Sequence, residues 1–298
     1  MKCKNISVVR IWEGLGNQMF QYAYARALQE KHGQTVYLEG RRMFRERLPY
    51  EDTKVERKCL LPNFQITLKF IKPSHLTGWR YLEQKTPFQK LRYYLVRQGL
   101  GKYKFCNDFT DITAFHKELM ELTGNAYIMG HFLNKKYYEP IREILLREFT
   151  LKKELNIPQS LMAVLESEQA VSVHIRRGDY LHVSCVQAIN REMQQGKYYQ
   201  RAIEYCARQM QEPVFLIFSD DITWIKENIS CPGRRILVSE MGFRDYEEMM
   251  LMSLCRANII ANSTFSYWGA WLNQNKDKIV IAPRHWMPSI LPATWIQM

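Results

Sequence analysis

The chain has 298 residues, 46% hydrophobic and 24% charged, a composition typical of a globular protein with one large core or two modest ones. Its seven cysteines are scattered and form no C-x-x-C pair, which argues against a disulfide framework or a zinc site and suits a reducing compartment. No apolar run approaches the roughly 20 residues of a membrane span, and the N-terminal run is too short for a signal peptide. We therefore expect a cytoplasmic protein.

The net charge of +12 is concentrated in residues 69–105, where nine lysines and arginines face the single acid Glu83. Tryptophan, tyrosine and phenylalanine are interleaved with these cations. Such a stretch is compatible with binding to nucleic acid, with contact to an anionic membrane surface, or with a solvated basic helical face. Charge alone leaves the three interpretations open.

The first half of the chain begins with a strand, a glycine-rich turn and a helix. We predict a strand at 8–12, a tight loop at 14–16, a helix at 17–31 closed by Gly33, and a strand at 36–38. Residues 41–125 are predicted to be largely helical and basic.

The second half alternates β-rich runs with helical patterns. Strands are predicted at 171–175, 214–218, 235–238, 258–261 and 278–282, and helices at 197–210, 223–228, 246–255 and 265–273. This alternation indicates a parallel sheet covered on both faces, which binds ligands at the carboxyl ends of its strands. Asn156-Ile157-Pro158 breaks the pattern, so we predict two α/β domains, 1–155 and 156–298, facing each other across a cleft.

A glycine-rich turn precedes the first helix. Gly14 and Gly16 allow a ligand to approach the backbone, and Asn17 and Gln18 fall in the first helical turn, where a ligand can meet their amides. The third glycine of a dinucleotide fingerprint is absent, because Met19 stands there. A plain strand-to-helix turn remains the alternative.

The segment His174-Ile175-Arg176-Arg177-Gly178-Asp179 carries the strongest chemical signal. Alternation directs Val171, Val173 and Ile175 to one face of a strand and His174 and Arg176 to the other. Two arginines at a strand end match the planar acceptors of a pyrophosphate, and Asp179 is a candidate to orient one guanidinium. A structural Arg–Asp pair is the competing explanation.

Two further polar groups follow predicted strands. Asp220 and Asp221 suit either a helix cap or a contact to a purine or ribose. Asn262, Ser263, Thr264, Phe265 and Ser266 join a strand to a helix, where hydroxyls and free N–H groups form an anion site. No D-x-D motif is present, and the nearest match, Asp245-Tyr246-Glu247, lies at a predicted helix start. Arginine, rather than a metal ion, is therefore the candidate for neutralising phosphate, and no cofactor is expected.

Three segments together resemble a known family. G-L-G-N-Q-M-F-Q-Y-A at 14–23, H-I-R-R-G-D-Y at 174–180 and N-S-T-F-S-Y-W-G-A-W-L at 262–272 are similar to the α-1,2-fucosyltransferases of glycosyltransferase family 11. The stretches 130–138 and 250–254 also fit, so the resemblance spans nearly the whole chain. The H-x-R-R-x-D motif also occurs in α-1,6-fucosyltransferases and, more loosely, in protein O-fucosyltransferases.

The resemblance implies a GT-B fold of two Rossmann-like domains, an acceptor-side one and a GDP-fucose-binding one. It also implies metal-independent, inverting transfer of L-fucose from GDP-β-L-fucose to the 2-hydroxyl of a galactoside. Bacterial members without an anchor act on surface polysaccharides such as O-antigen. By this likeness Arg176 reaches the β-phosphate, supported by Arg177 and Asp179. His174 lies near the nucleotide, and Asn17 beside the reacting sugar. The expected donor-site residues are His174, Arg177, Asp220, Asp221, Glu248, Asn262, Ser263, Thr264, Phe265 and Ser266.

Three positions depart from the family pattern. Glu13 stands where glycine is usual, Leu133 replaces a glutamine, and Glu248 replaces an aspartate. Asp179 and Glu13 are the candidate general bases. The alternatives are α-1,6 transfer, or a nucleic-acid-binding protein driven by the basic stretch, although clustered motifs at strand ends speak against the latter. Contact of that stretch with anionic lipid, near a lipid-linked acceptor, is a further hypothesis.

Overall fold

The computed structural model describes residues 6–40, 58–72, 87–97, 104–167, 169–178, 191–284 and 286–298. The described residues form two compact units, an N-terminal unit that ends at Thr150 and a C-terminal unit that begins at Leu151. The functional division into an acceptor-side and a donor-side domain at residue 155 stays a prediction. Within these ranges no helix is both long enough and apolar enough to cross a membrane.

The N-terminal unit is built on a parallel sheet with the order β3-β2-β1-β5-β4. Its elements are β1 Ile6–Arg10, α1 Leu15–His32, β2 Thr35–Glu39, β3 Lys69–Phe70, α2 Pro87–Arg97, β4 Lys104–Asn107, α3 Lys117–Met120, β5 Ala126–Met129 and α4 Arg142–Glu148. In the described part of residues 41–125 the prediction of a largely helical middle does not hold, because β3 and β4 pair into this sheet. Both are short, and neither shows the long alternation that marks a strand in sequence.

Helix α1 ends at Gly33 as the sequence predicts, but it begins at Leu15, two residues before the predicted start. It follows Gly14 and ends at Gly33, whose φ of 60° lies in the left-handed region that glycine adopts without strain. Residues on every side of the helix are buried, and Tyr24 stacks on Phe132 with ring centroids 3.8 Å apart. Burial all round explains why even Gln18 and Gln21 are fully enclosed, so the first turn of α1 is held rigidly.

The C-terminal unit contains a second parallel sheet, with the order β11-β10-β9-β6-β7-β8. Its elements are α5 Gln159–Glu166, β6 Ala170–Ile175, α6 Arg191–Gln194, α7 Lys197–Gln209, β7 Val214–Ser219, α8 Ile222–Asn228, β8 Arg235–Leu237, α9 Asp245–Ser253, β9 Ala257–Ile259, α10 Thr264–Leu272, β10 Ile279–Ala282 and β11 Ile296–Gln297. The predicted alternation of strands and helices is confirmed, and β11 is an addition.

Apolar clusters cover both faces of the second sheet. On one face Val171, Val173 and Ile175 of β6 pack with residues of α7 and α8. On the other face Ala170 packs with residues of β7, α5 and α9. The predicted alternation of β6 is therefore confirmed. Because all the strands are parallel, the segments that follow β6, β7 and β9 lie at one edge of this sheet.

Candidate active site

Arg176 leaves the carboxyl end of β6 and is oriented by an acid from the neighbouring strand. Its Nη1 lies 2.8 Å from Oδ2 of Asp220, and 22% of its side chain is exposed. Asp220 comes this close because residue 178 is glycine, where an added Cβ would lie 2.7 Å from the same oxygen. The arginine is thus held at the sheet edge while part of its side chain reaches solvent, as a phosphate ligand requires.

Arg177 is held by several contacts within the protein. Its Nε donates to Asp221 at 3.1 Å, its Nη1 donates to the carbonyl of Gln194 at 2.8 Å, and its guanidinium lies 3.7 Å above the ring of Trp224. Its backbone N–H also donates to Asp220. Asp221 in turn caps α8 by accepting from the N–H of Trp224. These contacts match the structural alternative that the sequence left open for Arg177 and Asp221.

His174 lies on β6 beside Arg176 and is 7% exposed. Burial and the charge of Arg176 lower the pKa of His174 to about 3, so the imidazole is neutral near pH 7. Its Nδ1 is buried without a hydrogen-bond partner, and its ring centroid lies 5.3 Å from that of Phe265. A buried, neutral ring with an unpaired nitrogen is suited to a hydrogen bond with a ligand.

The segment 262–266 connects β9 to α10. Ser263 caps the helix by accepting from the N–H of Phe265, and the buried hydroxyl of Ser266 lies 3.3 Å from the Ser263 carbonyl oxygen. Thr264 and Phe265 are only partly buried. Ser263 and Ser266 therefore shape the turn, while Thr264 and Phe265 present side chains in the first turn of the helix.

Glu248 is a largely buried acid on α9. Burial raises its pKa to about 7, although a hydrogen bond with Ser239 opposes the shift. Ser239 also accepts from the backbone N–H of Ser219 at the end of β7, so Glu248 is linked to the polar sheet edge. The D-Y-E sequence at Asp245 forms the first turn of α9, as predicted.

In the N-terminal unit the glycine-rich turn holds Gln18 tightly. Its amide donates to the carbonyls of Glu13 and Lys58, both at 2.8 Å, and its oxygen accepts from the N–H of Leu60. Gln18 is fully buried, and its amide is engaged at both ends. Gly16 is also buried, whereas Gly14 is partly exposed at the start of α1. Gln18 thus fastens the turn to the following chain instead of presenting a free amide.

Glu13 joins Asn17 to His131. Its Oε2 accepts from the Asn17 amide, and its Oε1 lies 3.3 Å from Nε2 of His131. Burial works against protonation of His131, but the hydrogen bond and charge of Glu13 outweigh it and raise the pKa of His131. Glu13 adopts a φ of 65°, a conformation in which glycine is unstrained. The turn therefore carries a carboxylate where glycine would fit without strain, and Asn17 and His131 contact that carboxylate.

Asp108 supports this group from the end of β4. Its Oδ2 accepts from the N–H groups of His131 and Phe132 at 2.9 and 2.7 Å. A Cβ on Gly130 would lie 2.7 Å from Oδ1 of Asp108, so this turn requires glycine. Trp12 covers His131, with ring centroids 4.7 Å apart, and donates from Nε1 to the carbonyl of Gly130. An aromatic surface therefore adjoins the Glu13 carboxylate.

The structure brings the predicted residues into two groups. Around β6 and β7 it gathers His174, Arg176, Arg177, Asp220 and Asp221, and around α1 it gathers Glu13 and Asn17. Asp179 lies outside the described residues. Sequence reasoning missed His131, Asp108 and Trp12. The resemblance of 130–138 to the family was an available signal for His131, but Asp108 follows a strand that was not predicted.

The match to a family model extends over residues 3–292, and that model describes glycosyl transferase family 11. The chain belongs to this family. The two parallel sheets with their helices are the Rossmann-like domains of a GT-B-like α/β fold, as predicted.

Curated relatives from Escherichia coli match over nearly their whole length. The O-antigen biosynthesis glycosyltransferase WbnK is 30% identical, with 92% of each chain covered. An alpha-1,2-colitosyltransferase is 31% identical, covering 95% of this chain and 92% of that protein. The human galactoside alpha-(1,2)-fucosyltransferase 1 is 27% identical over 86% of this chain, which spans 62% of that longer protein. Among solved structures, fucosyltransferase NodZ from Bradyrhizobium has a TM-score of 0.45 at 13% identity, covering 89% of this chain and 92% of NodZ.

Proposed function

We propose that this family 11 glycosyltransferase moves L-fucose from GDP-β-L-fucose to the 2-hydroxyl of a galactoside, with inversion and without a metal ion. The observation that carries the proposal is Arg176, held by Asp220 at the carboxyl end of β6 beside the neutral ring of His174. A partly exposed guanidinium in this position matches the charge and planar geometry of a diphosphate. The names of the relatives support the sugar class and the α-1,2 linkage.

Arg176 has the chemical role of stabilising the leaving group. As the bond from the fucosyl C1 to GDP lengthens, negative charge grows on the β-phosphate while the sugar becomes oxocarbenium-like. A guanidinium already oriented by Asp220 stabilises that charge without reorganising during the reaction. A resident cation of this kind makes a divalent ion dispensable for the same task.

The remaining donor contacts divide into groups that touch the ligand and groups that hold the site. His174, Glu248, Asn262, Thr264 and Phe265 are proposed to contact the nucleotide or its phosphates. The contacts already made by Arg177, Asp221, Ser263 and Ser266 indicate that they act by fixing loops and helix starts. Asp220 belongs with them, because it orients Arg176 and accepts from the Arg177 backbone.

On the acceptor side, Glu13 is proposed to take the proton from the attacking hydroxyl. Asn17 donates to one oxygen of its carboxylate and Nε2 of His131 lies 3.3 Å from the other, so both side chains hold the carboxylate in place. Trp12 and His131 offer ring surfaces on which the apolar face of a galactose can pack. Asp179 is the other candidate base from the sequence.

A second donor is favoured by one relative, the alpha-1,2-colitosyltransferase. Colitose is L-fucose without its 3-hydroxyl, so GDP-colitose would fit a GDP-fucose site with one hydrogen bond fewer. A site that hydrogen-bonds the 3-hydroxyl discriminates strongly against the deoxy sugar, whereas a site without that contact accepts both. The name of WbnK, an O-antigen biosynthesis glycosyltransferase, supports an O-antigen glycan as the acceptor. We propose that this glycan is linked to a lipid.

The test is a transfer assay in EDTA with GDP-fucose or GDP-colitose and a panel of galactosides, followed by determination of the product linkage. We expect an α-1,2-linked product with EDTA present. A 2-deoxygalactoside should give no product, while a 6-deoxygalactoside should still react. An α-1,6 product, or loss of reaction with the 6-deoxy acceptor alone, would identify the alternative linkage. Abolition of transfer by EDTA would refute the metal-free mechanism.

A further inference from the structure

Helix α2, Pro87–Arg97, exposes the kind of side chains that a surface helix normally buries. Phe88 is 71% exposed, Leu91 57% and Leu95 38%. Their spacing of three and four residues puts them in one stripe along the helix. Tyr94, 59% exposed, lies next to that stripe. A contiguous apolar stripe of this kind marks an interaction surface.

The sequence on both sides of this stripe carries charge of a single sign. Between Glu83 and Asp108 the sequence contains no acid and six cations, namely Lys85, Lys90, Arg92, Arg97, Lys102 and Lys104. Lys90 is exposed on α2, and Lys104 is exposed on β4, the edge strand against which α2 packs. Apolar side chains bordered by cations are the pattern of a helix that lies in the interface of an anionic membrane.

We propose that α2 docks this protein onto an anionic lipid bilayer. Phe88, Leu91 and Leu95 would enter the boundary between headgroups and acyl chains, and Lys90 and Lys104 would face the lipid phosphates. A nucleic acid would match the cations but leave the leucine side chains without a partner. A second copy would bring two basic faces together and repel. The bilayer is therefore the partner that both the charge and the apolar stripe fit.

Docking of this kind is independent of the transfer chemistry. Only its benefit, access to a lipid-linked acceptor, rests on the proposed function. Vesicle binding and transfer to a soluble galactoside are therefore separate measurements, and failure of one does not imply failure of the other.

The experiment is co-sedimentation of the full chain with phosphatidylcholine vesicles, with or without about a third of phosphatidylglycerol. We expect binding to the anionic vesicles that weakens in high salt. The triple variant F88S/L91S/L95S should bind about tenfold or more weakly, because the inserted apolar surface is lost. The control M241S/L254S changes side chains that are 39% and 48% exposed in the C-terminal unit, and should bind like wild type.

A charge variant keeps the test decisive if the triple variant folds poorly by circular dichroism. K90E/K104E alters exposed side chains only and should also weaken binding to anionic vesicles. Absence of binding by the wild type, or equal binding by wild type and both variants, would overturn the proposal. The proposal would also be overturned if light scattering showed that the wild type is a dimer and the triple variant a monomer, while the wild type does not bind vesicles.

Discussion

The strand ends of the two units carry different charges on the same kind of sheet. In the C-terminal unit, Arg176 extends from β6 with part of its side chain exposed and is held by Asp220. In the N-terminal unit, Glu13 and Asp108 surround the ring and the backbone N–H of His131. Both units thus place polar side chains after the strands of a parallel sheet, with a cation at one edge and acids at the other.

The two histidines express this difference most directly. Burial and Arg176 lower the pKa of His174 to about 3, whereas Glu13 raises the pKa of His131 in spite of its burial. One ring is kept neutral beside a cation, and the other is favoured as the charged partner of an acid. Both rings are buried, so the charges beside them, Arg176 in one unit and Glu13 in the other, account for the opposite directions of the two pKa shifts.

Substitution of Arg176 by lysine should have the largest effect. Lysine keeps the positive charge but loses the planar fork that Asp220 orients. Loss of one preorganised contact to the leaving group typically costs about 3–4 kcal/mol, so we expect the turnover rate of fucosyl transfer to fall roughly a hundred- to thousandfold.

Arg234→Lys is the matched control, because Arg234 is an exposed arginine in the same unit. It should transfer fucose at the wild-type rate. If Arg176→Lys keeps activity within tenfold of wild type, Arg176 does not stabilise the leaving group. The charge of the C-terminal unit would then not explain its part in transfer.

Substitution of Glu13 by glutamine tests the group of acids in the N-terminal unit. If Glu13 accepts the acceptor proton, turnover should fall about a hundredfold, at the low end of general-base contributions, with little change in the KM for the donor. Glu13→Gly is the companion variant, since glycine adopts a φ of 65° without strain. It should lose activity equally and unfold at a higher temperature. Normal turnover in both variants would leave the carboxylate a structural role only.

The sequence predicted the C-terminal unit better than the N-terminal one. The strands before Arg176 and Asp220 were predicted from the alternation in β6 and from the short, β-rich apolar run of β7. The resemblance to the family added the roles of the motif residues. The resemblance already gave Arg176 the phosphate and Arg177 a supporting role, but the contacts of Arg177 with Asp221 and Trp224 required the side-chain geometry.

The group around Glu13 depends on contacts distant in sequence. His131 lies 118 residues from Glu13, and Asp108 follows the four-residue strand β4 in a basic stretch. Such a short strand has too little alternation to be recognised in the sequence. The position of Asp108 next to the residues that follow β5 could therefore not be predicted. Glu13 was noticed as a departure from glycine, but its positive φ and its bond to His131 required the structure.

Substitution of Arg177 by glutamine should affect stability more than chemistry. It leaves Asp221 without its cation, the Gln194 carbonyl without its donor, and Trp224 uncovered. We expect the free energy of unfolding to fall by about 2–3 kcal/mol, less than for a fully buried pair because Asp221 is 29% exposed. Denaturant unfolding measures the change, with Arg234→Gln as the control. Unchanged stability together with lost activity would make Arg177 a ligand like Arg176.

The smallest effect concerns the pH dependence of stability and uses both histidines. Because the pKa of His174 falls from its ordinary 6.5 to about 3 on folding, the unfolded chain binds the proton first and stability declines below pH 6.5. Between pH 7 and pH 5 the free energy of unfolding should fall by about 2 kcal/mol from this group. His131 acts oppositely, since its raised pKa gives stability that is lost as the pH rises above its ordinary value. His174→Gln should flatten the acid side of the stability curve, and His131→Gln the alkaline side. If both variants keep the wild-type dependence of stability on pH, the pKa values of His174 and His131 are not shifted in opposite directions by folding.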